Sequence, residues 1–366
     1  MKNTSTDFQI FSNRLNVNST GNQIRNIGAL SPKYQRIQRI ALEELDKGAF
    51  KLKQVRSWSM HDDMGVPIQL RRLVKFDSFF FENVKRFLYF KLPSKYISQY
   101  FLKQSLLDDF NVIKALGYLE FLKKNELNSM SLARDIYVKD NFSFNARLLR
   151  YIYILGQIKK FELLTPENRQ LHVDIGGFYG GLQSILSKYF PNSVFVNVEL
   201  EHQLFRSFSY QKNIDSEINQ IIGEQEFLDF IRKKPRLSNK PTFIYLLPKS
   251  YYLIGQEVEI DLITNFQSFG EMSRENFDFY YHCNSTTQAK FIYSTNRFVS
   301  KPSLDETYDS DLTVLNYILP NFRINYLNRF PMHNYQVSKS FFLGNKGYRN
   351  ASSGSFELIM EKQAEK

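Results

Sequence analysis

Residues 172–200, HVDIGGFYGGLQSILSKYFPNSVFVNVEL, place four glycines within six positions between two apolar runs. LHVDI and VFVNVEL are short and rich in β-branched residues, which reads as two strands. Between them Leu182, Ile185, Leu186 and Tyr189 recur at helical spacing from about Gly181 to Phe190, and Pro191 closes that helix. Strand, glycine turn, helix and second strand make a βαβ unit of a parallel sheet. Ligands of such sheets bind beyond the carboxyl ends of the strands, and the first strand-to-helix turn carries the binding loop. Glycine there reaches backbone angles closed to other residues and lets a ligand lie against bare backbone.

The spacing separates the ligands that use such a loop. A phosphate-binding P-loop needs Gly-Lys-Ser/Thr, but Gly181 is followed by Leu182 and Gln183. A dinucleotide fold needs a glycine where Phe178 stands. What remains is an acid ending the first strand, Asp174, a glycine turn, and a second acid, Glu199, ending the second strand. That arrangement suits S-adenosylmethionine: the loop amides meet its carboxylate, Asp174 its amino group, and Glu199 accepts two hydrogen bonds from its ribose.

Working outward, TFIYLL, EIDLITNF and KFIYST continue the strand series, and FRINYLNRF with SKSFFLG reads as an antiparallel pair finishing the sheet. Before residue 161 the texture is helical. LSPKYQRIQRIALEEL carries one apolar face, DDFNVIKALGYLEFLKK a wider one through Phe110, Ile113, Leu116, Leu119 and Phe121, and FSFNARLLRYIYILGQIKKF a stripe of Leu148, Ile152, Leu155 and Ile158. The expected organisation is an extended or poorly ordered arm over 1–30, a basic helical region over 31–160, an α/β domain over 161–350 and a tail over 351–366.

Charge divides along the same line. Residues 1–160 hold 27 Lys+Arg against 14 Asp+Glu, and residues 161–366 hold 21 against 23, a balance of +13 against −2. A basic segment of this kind suits an anionic partner: a nucleotide or diphosphate group, an acidic membrane face or nucleic acid. The single cysteine, Cys283, excludes an internal disulfide or a thiolate metal site. No stretch has the apolar length of a signal peptide or membrane span, so a soluble cytoplasmic protein is expected.

VDIGGFYGGLQSILSKYFP, VNVELEHQLFRSFSYQ, DLITNFQSFGEMSRENFDFYYH and STNRF together resemble, in order and spacing, the sugar O-methyltransferases of bacterial surface-polysaccharide gene clusters. These are class I S-adenosylmethionine-dependent enzymes, and the resemblance covers roughly residues 145–345. It implies a Rossmann-like fold: a seven-stranded, mostly parallel sheet with a terminal antiparallel hairpin, preceded by the helical N-terminal region. The family loop reads E-I-G-G-G-Y-G-G, so Asp174, Gly176, Gly177, Gly180 and Gly181 carry over, whereas Phe178 replaces a glycine. The family acid after the second strand is Asp, and Glu199 is one methylene longer. The expected cofactor residues are Asp174, Gly176, Gly177, Tyr179, Gly180, Glu199 and Asn265. SFGEM (268–272) and Asn296-Arg297 match the family after the fourth and fifth strands, which implies substrate contact there for Asn296 and Arg297.

Methyl transfer to a sugar hydroxyl needs a base that takes the proton as the C–O bond forms. Glu271, just beyond the fourth strand, is the first choice and His333 the second. His282 and His172 sit in apolar runs and read as core. No metal-ligand spacing is present, so a metal-independent reaction is expected. The expected acceptor is a sugar or glycan, nucleotide- or lipid-diphosphate-linked, with peripheral membrane contact through the basic region. Two alternatives stay open: a nucleic-acid methyltransferase, favoured by the basic segment but lacking a base-flipping motif, and a catalytically lapsed binding protein, suggested by Phe178.

Overall fold

The computed structural model describes residues 4–16, 108–122, 146–233, 240–300, 312–332, 334–339, 346–351 and 354–364. They fall into two compact units, one drawn from 1–51, 158–330 and 354–366, the other from 52–157 and 331–353.

The larger unit is built on one eight-stranded sheet in the order β3-β4-β2-β1-β5-β6-β12-β9. Its strands are β1 (Leu171–Ile175), β2 (Val194–Val198), β3 (Asn219–Ile222), β4 (Thr242–Leu246), β5 (Leu262–Phe266), β6 (Phe291–Arg297), β9 (Phe322–Arg329) and β12 (Ser355–Lys362). A short separate pair, β7 (Val299–Ser300) with β8 (Leu312–Thr313), lies between. β12 alone runs against its neighbours, β6 on one side and β9 on the other. This is a Rossmann-like, mostly parallel α/β sheet, with strand order reversing beside β1.

Three expectations change. The sheet has eight strands rather than seven, because NQII adds β3 in parallel to β4 at the edge. The antiparallel partner of β9 is not SKSFFLG but β12, so the segment read as a tail over 351–366 supplies an interior strand. Its alternating apolar side chains Phe356, Leu358 and Met360 are fully buried, which is the driving force for insertion. Residues 334–339 instead form β10 (Asn334–Lys339), paired with β11 (Lys346–Ala351) in the other unit.

The third change is at the N-terminus, where α1 (Thr4–Asn16) replaces the expected arm. Phe8, Phe11 and Leu15 follow helical spacing and are buried. Phe11 packs on Phe205, Phe208 and Tyr245 at ring distances of 5.4, 5.1 and 6.2 Å. Arg14 clasps Glu226 with two bonds of 2.7 and 2.8 Å, and Ser12 donates to Glu201.

β-Alternation divides the sheet's two faces. Val173, Val196, Ile244, Ile263, Ile292 and Leu358 build the core on one, against Tyr251 and Ile254 of α6 (Tyr251–Glu257) and Phe277 and Tyr281 of α7 (Arg274–Tyr281). The other face carries His172 and Asp174 on β1, Asn197 on β2 and Thr264 on β5, all buried. Above it lie α3 (Gly181–Leu186) and α4 (Glu201–Ile214); α5 (Gly223–Arg232) leads from β3 toward β4. α3 stops short of Phe190, the chain continuing as a turn before Pro191.

In the smaller unit, residues 108–115 and 119–122 are helical with a turn between, and the unit includes residues 146–157 of α2 (Ala146–Lys160). Gly117 bends the chain at φ +78°, which leaves Leu116 41% exposed against the expected inward position, while Phe110, Ile113 and Phe121 are buried as expected. The stretch 30–45 lies outside the described residues. No helix among the described residues is long and apolar enough to cross a membrane.

Because Phe11 is 1% exposed within an aromatic cluster, Phe11→Ala is expected to lower unfolding stability by about 3–5 kcal/mol in urea titration. A loss below about 1 kcal/mol would show that α1 is not docked.

Candidate functional site

β1 delivers the chain into the glycine loop, tied down by Gly176 N–H donating to Val198 O at 2.9 Å. Gly176 and Gly180 take φ of +73° and +75°, which disfavours any side chain. What approaches the backbone is, first, the protein itself. A Cβ on Gly176 would sit 2.1 Å from Ser268 Oγ, on Gly177 2.6 Å from Asp174 Oδ2 and 2.9 Å from Asn197 Oδ1, and on Gly180 2.3 Å from Ser207 Oγ. Gln211 of α4 donates to Gly180 O at 2.9 Å, so α4 clamps the loop from above.

Phe178 itself takes the left-handed conformation, at φ +55°. Its ring lies 4.7 Å from the guanidinium carbon of Arg206 and edge-on to Tyr179 at 5.2 Å, and Tyr179 in turn meets Tyr210 at 4.9 Å. A buried Arg206 on α4 thus holds the ring by its face.

The two expected acids close around this loop. Asp174 is 2% exposed and accepts from Thr264 Oγ1 at 2.7 Å. Burial pushes its carboxyl up to about 7, with Thr264 pulling it down and Glu199 adding to the rise. Glu199 accepts from Leu200 N–H at 2.9 Å and Phe178 N–H at 3.3 Å. It too is driven to about 7 by desolvation, against those two amides and Arg206, while Glu271 raises it further. Asp174, Glu199 and Glu271 are therefore electrostatically linked at the carboxyl edge of the sheet, and no cation pairs with Asp174 among the described residues. Paired acids shifted by burial and by one another mark functional sites.

Asn265 and Asn296 have another task. Asn265 Nδ2 donates to Ile175 O at 2.8 Å and Ser268 Oγ at 2.6 Å, and its Oδ1 accepts from Phe269 N–H and Asn296 Nδ2 at 3.2 and 3.0 Å. Asn296, 0% exposed, also donates to Ser294 Oγ at 2.8 Å and accepts from Gly270 N–H at 3.0 Å. The two amides are consumed in holding the turn Ser268–Glu271, so Asn296 positions that turn instead of touching a substrate. Arg297, next along β6, is half-buried.

Glu271 ends the held turn and is partly exposed there. His333 lies outside the described residues. His282, capping α7, stands 3.5 Å from Asp278, and His172 is fully buried in β1. Among the described residues no group of three His, Cys, Asp or Glu side chains is placed to hold a metal ion.

Sequence reading missed Thr264, Asn197 and the polar face of α4. Gln203, Ser207 and Gln211 recur every four residues, a buried polar stripe hidden in a helix with aromatic neighbours. Both amide atoms of Asn197 are buried without a partner among the described residues, directly beneath Gly177.

No family model and no curated protein matches this sequence. Among solved structures the chain is similar to an S-adenosylmethionine-dependent methyltransferase from Anabaena variabilis, at 15% identity over 57% of this chain and 84% of that one, with a TM-score of 0.33. It is also similar to the magnesium protoporphyrin IX methyltransferase of Synechocystis with bound S-adenosylmethionine, at 10% identity over 60% and 80% of the two chains and a TM-score of 0.35. A further S-adenosylmethionine-dependent methyltransferase, from Clostridium acetobutylicum, gives 10% identity, 58% and 91% coverage and a TM-score of 0.32. The site described above stands on its own strand order and side chains.

A carboxyl whose pKa rises from 3.8 to about 7 on folding binds its proton more tightly in the folded state, so its stability contribution is complete below about pH 4 and lost as pH rises toward 7. Asp174→Asn is accordingly expected to raise the Tm at pH 8, by the equivalent of about 1–4 kcal/mol, with the gain vanishing at pH 4. Equal destabilisation at both pH values in thermal melts would show that Asp174 is not strained. Gly177→Ala should do the reverse of Asp174→Asn, lowering stability by about 1–3 kcal/mol, as overpacking does.

Proposed function

We propose that this chain is an S-adenosylmethionine-dependent methyltransferase acting on a sugar hydroxyl of a surface glycan or of its nucleotide- or lipid-linked precursor. The observation that carries this reading is the pair of acids, buried Asp174 and half-buried Glu199, at the ends of adjacent parallel strands beside a loop whose four glycines leave the backbone bare at those positions. The residues present fit the donor. Asp174 lacks a cation and suits an ammonium group, Glu199 keeps acceptor capacity for a ribose diol beyond its two amides, and the unpartnered amide of Asn197 lies beneath the same loop. Tyr179 flanks the loop with its ring.

When bound, the donor supplies an electrophilic methyl group on sulfonium. Glu271, on the turn held by the Asn265–Asn296 pair, would accept the proton of the acceptor hydroxyl as that oxygen is methylated. Arg297, at the end of β6, is suited to a diphosphate or uronate oxygen on the acceptor. The expected setting is cytoplasmic. His333 is the alternative base. The balance of +13 on residues 1–160 supports a second reading, a nucleic-acid methyltransferase, which steep salt dependence of RNA binding would favour.

S-Adenosylhomocysteine at a hundred times its Kd is expected to stabilise the protein by about 2.7 kcal/mol in thermal melts. Glu271→Gln should keep that stabilisation and lose about 10²–10⁴-fold in kcat for methyl transfer to glycan precursors. Full activity of the variant would remove Glu271 as the base, and absence of any ligand-induced shift would remove the methyltransferase reading itself.

A further inference from the structure

We infer that Thr264 and His172 form a buried relay that holds Asp174 as an anion aimed beneath the glycine loop, and so act as positioning residues for a cationic ligand group. The inference rests on the donor-site reading above for the identity of that group. The three side chains lie in line across β1 and β5: His172 Nε2 is 2.8 Å from Thr264 Oγ1, which is 2.7 Å from Asp174 Oδ1. All three are at most 2% exposed, so solvent does not complete their hydrogen bonds. Register fixes the contact, since Asp174 pairs with Thr264 and His172 with Leu262 across the parallel ladder.

The proton count sets the direction. An ionised carboxylate only accepts, so Thr264 gives it the single hydroxyl proton. Thr264 then needs a donor, and His172 must carry its proton on Nε2, leaving Nδ1 a bare acceptor; this tautomer is assigned from the network. His172 Nδ1 is indeed buried with no partner among the described residues. Burial lowers the His172 pKa to about 3, so the ring is neutral and has one proton to place. The opposite direction needs a protonated Asp174, which donates to Thr264, which donates to Nε2; the His172 proton then moves to Nδ1 as an orphaned buried donor. Orphaned donors are rarer in folded proteins than under-used acceptors, so the ring's surroundings favour the anion. Phe195 packs edge-on against the ring at 5.7 Å and offers Nδ1 no hydrogen-bond acceptor.

The relay leaves Asp174 Oδ2 beneath Gly177. The groups facing the carboxyl are Thr264 from β5, Asn197 and Glu199 from β2 and its end, and the loop backbone; Arg206 of α4 and Glu271 after β5 act through Glu199. Glu199 opposes the charge on Asp174 and the relay supports it, which makes the relay the adjustable term.

Two measurements test this. In the wild-type protein, long-range proton–nitrogen NMR of His172 should show the Nε2–H tautomer at pH 8 and conversion toward Nδ1–H as Asp174 takes up a proton; Nδ1–H at pH 8 overturns the relay. Calorimetry with S-adenosylhomocysteine from pH 5.5 to 8.5 should show the pH at which affinity is lost moving up by about one unit in Thr264→Val, a tenfold loss near neutrality, with Thr264→Ser restoring the wild-type profile. A Thr264→Val profile superimposable on wild type also overturns it. Should wild type bind no S-adenosylhomocysteine, the donor-site reading fails, while the tautomer still decides the relay.

Discussion

Asp174 sits at the end of the central strand with almost no solvent contact and no opposing cation among the described residues, and the surrounding structure answers that cost. An isolated buried carboxylate is unfavourable by several kcal/mol unless it is hydrogen-bonded or protonated. Thr264 supplies one bond from β5, and Gly177 lets the backbone close over the other oxygen, where any Cβ would collide. The glycine-rich turn is thus required by the charge beneath it as much as by a ligand above it.

The elements around the turn follow from that demand. α4 presents a polar face, unusual for a helix lying on a sheet, because Ser207 and Gln211 must meet Gly180 and Arg206 must face Phe178. The opposite side of α4 is aromatic and would be exposed without α1, whose Phe8 and Phe11 cover Phe205 and Phe208. A helix near the N-terminus thereby backs the helix that clamps the loop, and its Ser12 reaches Glu201, two residues beyond Glu199.

On the other side of β1, Asn265 and Asn296 link the ends of β5 and β6 to the turn that carries Glu271. Buried amides with every bond made give a fixed geometry, which suits a group that must meet a reacting atom. β6 is itself held by β12, a strand brought in from the far end of the chain.

The sequence by itself determined the local units: the strands LHVDI, VFVNV, TFIYL, LITNF and FIYST, the glycine turn, and the acids Asp174 and Glu199 at adjacent strand ends. These are legible because strand alternation, helical spacing and glycine punctuation act over a few residues. Tertiary structure alone decided that Ser355–Lys362 enters the sheet beside a strand some sixty residues earlier, since a short alternating apolar run looks the same as a tail or as an interior strand. It also decided that Asn265 and Asn296 hold a turn, that α1 is docked, and that His172, an apparently plain core residue, stands in line with Thr264 and Asp174. Hydrogen-bond partners across strands depend on register and packing, which no window of sequence contains.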